Sequence, residues 1–103
     1  SVQMAQAGLG SAPLTNALNH NNNALTAVGS NAILKQDVLR IKSYINDLNT
    51  SAANLVSGFD LRASRLYSAI DTLITKAKNT SVTESLRLVK SDIEQLRGDR
   101  FGN

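Results

Sequence analysis

The chain has 103 residues but a single histidine, His20, and no cysteine, so few of its side chains could carry acid–base, thiol or metal chemistry. A histidine acting as a base needs a carboxylate to orient its ring. None lies within 16 residues of His20, which stands in the run His20-Asn21-Asn22-Asn23. That setting reads as a solvent-facing helix position. Asp92 and Glu94 are two apart on a helical stretch and point to different sides, and Asp71 stands alone in its segment. One histidine without cysteine makes a transition-metal site improbable and excludes disulfides and thiol catalysis. Gly8-Leu9-Gly10 is too short to cradle a phosphate. Asn49-Thr50-Ser51 and Asn79-Thr80-Ser81 match the glycosylation pattern, and Asn79, at an expected turn, is the better acceptor in a secreted protein. The expectation is a non-enzyme with no cofactor and no metal.

Charge is unevenly spread. The first charged residue is Lys35, and 11 Lys and Arg against 8 Asp and Glu leave a net +3. The basic residues alternate with acidic ones and form no run, so a nucleic-acid footprint is not expected. No apolar stretch approaches the roughly 20 residues that span a bilayer. The start, Ser1-Val2-Gln3-Met4, lacks the basic opening of a signal peptide. Only four aromatics are present, Tyr44, Phe59, Tyr67 and Phe101, so the core must be aliphatic.

The elements that would position any site are helical. Residues 1–12 read as a flexible arm, with Pro13 in the first turn of a helix running to about 28. Its stripe is Leu14, Leu18, Asn21, Leu25 and Val28, with the poor helix formers His20 to Asn23 at its centre. Gly29 suits its end, and Ser30 or Asn31 the next cap. A second helix carries Leu34, Val38, Ile41, Ile45, Leu48, Ala52 and Leu55, three heptads in a 4-3 spacing. Gly58-Phe59-Asp60 reads as a break; the alternative is one continuous helix over 32–78, about 70 Å long. The third helix, about 60–78, has a broad apolar face: Leu66, Tyr67, Ile70, Leu73, Ile74 and Ala77. Ser81 to Glu84 matches a capping box, and the fourth helix carries Val82, Leu86, Val89, Ile93 and Leu96 up to Gly98. Residues 98–103 read as a loose tail.

The expected architecture is all-α, an antiparallel four-helix bundle over 13–97 with the flexible arm before it. The alternative is a long helical hairpin that oligomerises. The uncharged first helix and the broad face of the third predict a module that binds an apolar ligand or a hydrophobic surface. The candidate ligand-binding residues are Leu18, Leu25, Val28, Ile41, Ile45, Tyr67, Ile70, Ile74, Leu86 and Val89. The partner is then a lipid or other apolar small molecule, and the strict heptads keep a homo-oligomer or a partner-binding coiled coil as the alternative.

From about residue 32 to 97 the order of features resembles the fungal hydrophobic-surface-binding and cell-wall mannoprotein family. The residues that carry it are Asp37-Val38, Ile41, Ile45 and Leu48, then Ala52 and Leu55 with a Gly soon after. Leu66, Ala69 and Ile70 follow, then Lys76 to Ser81 and a last helix ending near Leu96. The chain departs from the family at its Asn-rich first helix and its short C-terminal end. The resemblance implies a helical, secreted or cell-surface protein that binds fatty acids or adheres to hydrophobic surfaces; a cytoplasmic location is the alternative. No family site residue is carried over.

Overall fold

In the computed structural model the backbone is described for residues 2–102 and the side chains for 12–102. Four α-helices follow in order: α1 Val2–Val28, α2 Ala32–Asn46, α3 Val56–Ala77 and α4 Thr80–Phe101. Two short 3-10 turns, Asp47–Asn49 and Ser51–Asn54, join α2 to α3. Among the described residues there is no strand. α1 packs on α2 and α4, and α3 packs on the same two, so the helices close a four-membered ring. The tight turns between successive helices make neighbours antiparallel. The bundle measures 43 × 26 × 20 Å with a radius of gyration of 13.8 Å, which excludes a 70 Å hairpin.

The core is aliphatic as expected except for Phe59, which is fully buried within it. The α4 stripe, Val82, Leu86, Val89, Ile93 and Leu96, is fully buried. It meets Val38, Ile41, Ile45 and Leu48 from the α2 side and Leu66, Ile70 and Leu73 of α3. Gly29 turns α1 into α2 at φ +59°, and the side chain of Asn31 caps α2 by accepting from the Leu34 N–H at 3.0 Å.

Four boundaries differ from expectation. The segment before Pro13 is helix from Val2 rather than an arm, and Pro13 lies inside α1. Residues 2–7 include Gln, Met and Ala, good helix formers, and a proline removes only one backbone donor from an otherwise continuous ladder. The α2–α3 break falls at 47–55, ahead of Gly58. The reason lies in Asn46, Asp47, Asn49, Thr50, Ser51 and Asn54, short polar residues whose side chains compete for backbone bonds. Thr50 Oγ1 donates to the Asp47 carbonyl at 2.8 Å. Ala52 and Leu55 therefore leave the heptad stripe for the surface, while Ala53 turns inward. Gly58 sits inside α3 because Ala52 passes over it; a Cβ there would lie 2.0 Å from the Ala52 carbonyl oxygen.

α4 starts earlier than a cap at Ser81 would allow. Asn79 is its cap and accepts from the Val82 N–H at 3.0 Å, so the Ser81–Glu84 capping box does not form. The helix also continues past Gly98 to Phe101, so residues 98–101 are not a loose tail; Asn103 lies outside the described residues. Packing holds this end. Phe101 meets Phe59 edge-on at 5.4 Å, and Arg100 donates to the carbonyls of Leu48 at 2.7 Å and Ala53 at 3.1 Å. Burial lowers the pKa of this guanidinium, which ties α4 to the 3-10 turns.

Candidate functional site

The ten sequence-predicted ligand residues do converge. Val28, Ile41, Ile45, Ile70, Leu86 and Val89 are buried in the common core, and Leu18, Leu25, Tyr67 and Ile74 pack half-buried against it. What distinguishes parts of this core is how each seam between helices is closed.

The α1–α4 seam is close-packed backbone to backbone. His20 marks the side of α1 that faces α4, and Ala17 and Ala24, three and four residues away, share that side. Both are fully buried, and their small side chains allow the close approach. Within this seam His20 Nδ1 lies 2.6 Å from Asp92 Oδ2, a pair separated by 72 residues. Asp92 is a buried carboxylate, and its partner satisfies it while orienting the imidazole ring. This pairing reverses the reading of His20 as an unattended solvent-facing residue. Residues 72 apart in sequence carry no local signal of contact; the one available hint was that Asp92 precedes Ile93 of the apolar stripe.

One residue on, Asn21 faces α2. Its Nδ2 donates to the Val38 carbonyl at 3.3 Å, and its Oδ1 is buried with no partner in the protein. An unmet buried acceptor of this kind costs about 1–3 kcal/mol.

The α3–α4 seam is the opposite case. Although both helices have 22 residues, their backbones make the least close approach of the four seams. Side chains close the gap. Arg97 clasps Asp60 with two bonds of 2.8 and 3.0 Å. The Tyr67 hydroxyl donates to Glu94. Lys90 reaches Asp71 at 3.1 Å and stands 5.4 Å over the Tyr67 ring. Burial, then the Glu94 carboxylate beside it, pushes the Tyr67 phenol far above its ordinary value. The Arg97 guanidinium holds Asp60 below the usual carboxylate value. A cleft of about 340 Å³, lined by Asp60, Ala63, Ser64, Tyr67, Glu94 and Arg97, marks this seam at the surface. Beneath it α3 and α4 contribute Leu66, Ile70, Leu86, Val89 and Ile93.

A larger groove of about 510 Å³ runs along the outer face of α2 and α3. None of the ten predicted residues lines it. Asp37, Arg40 and Tyr44 come from α2, and residues from Leu61 to Lys76 come from α3. Asp37 receives both Lys76 at 2.8 Å and Arg40 at 3.4 Å, and Arg65 stacks 5.6 Å over Tyr44. Sequence reading missed this groove because its two walls are ordinary polar helix faces until they are placed side by side.

Among the described residues no group of three His, Cys, Asp or Glu could hold a metal ion, and no helix is long and apolar enough to cross a membrane. No family model, curated protein or solved structure matches the chain.

Proposed function

We propose that the protein is a non-catalytic helical module that takes an apolar ligand, a fatty acid or another lipid, into its aliphatic core through the α3–α4 seam. The observation that carries this reading is the closure of that seam by side-chain pairs rather than by close backbone packing. Exposed pairs of this kind hold a seam weakly and re-form after it parts. Helix backbones already set apart need to move little to admit an acyl chain. The walls it would meet are Tyr67, Ile70, Ile74, Leu86 and Val89 on the near side and Ile41, Ile45 and the α1 leucines on the far side. Aliphatic walls with one aromatic rim residue suit a chain better than a planar ring.

Native mass spectrometry after organic extraction and reloading with a fatty-acid series is the test. A bound chain and a melting temperature that rises with chain length are expected. The double variant Tyr67→Phe/Glu94→Gln, which removes the rung between α3 and α4, should load faster. Absence of any bound lipid together with a melting temperature indifferent to fatty acid would overturn the reading.

A further inference from the structure

The outer α2–α3 groove plays no part in the core site proposed above. We propose that it is a docking surface for an acidic amphipathic helix of a partner protein. The α3 wall runs from Leu61 to Lys76, about 22 Å at the helical rise, and the α2 wall from Asp37 to Tyr44, about 10 Å, so both walls together flank about two turns of a docked helix. The groove lies open along two antiparallel helices, the shape that a third helix fills by packing its ridge between them. A small-molecule site would instead enclose most of its ligand.

The lining has the chemistry of such a dock. Tyr44, Ala69 and Leu73 form an apolar floor, and Leu61, 63 % exposed, stands uncovered at one end. Ser64, Ser68 and Thr72 keep the α3 wall low. Around the floor are Arg40, Arg65 and Lys76, with Asp37 in the lining and Asp47 beside Arg65, so three cations and two carboxylates leave the rim at +1. Arg40 and Lys76 share the Asp37 carboxylate. Arg65 is positioned by the Tyr44 ring and only loosely paired, at 3.8 Å, with Asp47. A partner helix with leucines on one stripe and glutamates beside it complements both features, and its charges set orientation and on-rate more than affinity.

The probe is a 16-residue amidated peptide with leucines at helical spacing and glutamates on both flanks, compared with the same peptide carrying lysines. In nuclear magnetic resonance titrations the glutamate peptide is expected to shift the Tyr44, Ala69 and Leu73 amides and to bind about tenfold more tightly than the lysine peptide, with the preference fading at high salt. Arg40→Glu/Arg65→Glu should exchange the preference. Leu61→Ser, at an exposed position that does not endanger the fold, should weaken the glutamate peptide several-fold. Equal affinity for both peptides, shifts outside the groove, or dodecanoate displacing the peptide from these amides would overturn the proposal. Failure here leaves the core site untouched, because lipid loading is read by mass and melting temperature rather than at these amides.

Discussion

α4 meets α1 through alanines and α3 through leucines, and the two contacts differ in kind. Against α1, Ala17 and Ala24 bring the backbones together, and the part-buried polar pair His20–Asp92 sits between them. Against α3, larger side chains hold the backbones apart, and a ladder of Tyr67–Glu94, Asp60–Arg97 and Asp71–Lys90 bridges the space at the surface. The lesson is that one helix offers both a seam fixed by shape and a seam fastened by exposed side chains. The first tolerates no added volume. The second can part at small cost, because surface pairs contribute little and re-form in water.

The largest expected effect tests the wide seam's floor. Leu66→Ala removes a fully buried side chain from α3 and should cost about 2–5 kcal/mol in urea denaturation. A loss under about 1 kcal/mol would mean that the space beneath the ladder is already open. Next is Ala24→Leu, which overfills the tight seam and should cost about 1–3 kcal/mol. The same change at half-buried Ala77 should be mild, and equal costs at the two sites would erase the contrast. Asn21→Leu keeps the branched shape and removes the unmet acceptor, so a gain of about 1 kcal/mol is expected by thermal melting. If this substitution destabilises the protein instead, the bond to the Val38 carbonyl outweighs the unpaired oxygen.

The smallest effect belongs to the ladder. Arg97→Gln should lower the melting point slightly at low salt and not at all at high salt. Its pH dependence has a defined sign. Asp60 is held below its ordinary 3.8, so its stabilisation is present above that value and lost as pH falls through the lowered one. The deficit of the variant should therefore close in acid. A deficit that persists there would place the contribution in packing of the Arg97 stem rather than in charge.

Much of this architecture was legible in the chain. The 4-3 stripes of α2 and α4 named Val38, Ile41, Ile45, Leu86, Val89 and Ile93 as core, and Gly29 with Asn31 marked the first turn. Where the reading slipped, local signals competed. Leu55 and Phe59 continue the heptad phase, so the stripe drew the expected break on to Gly58, past the polar residues of 46–54 where it falls. Ser81 and Glu84 spell a capping box, yet Asn79 caps first. Helix formers before Pro13 outweigh the single bond the proline removes.

The sequence by itself determined that the chain is helical, which stripes of α2 and α4 are apolar, and that the core is mostly aliphatic, because these follow from spacing within one helix. Only the tertiary structure decided which faces meet. Both the joining of His20 to Asp92 across 72 residues and the groove between two polar helix faces depend on how the ring of helices closes. So does the contrast between the seams of α4. Side-chain size on both partners at once sets how near two helices come, and neither helix carries that information alone.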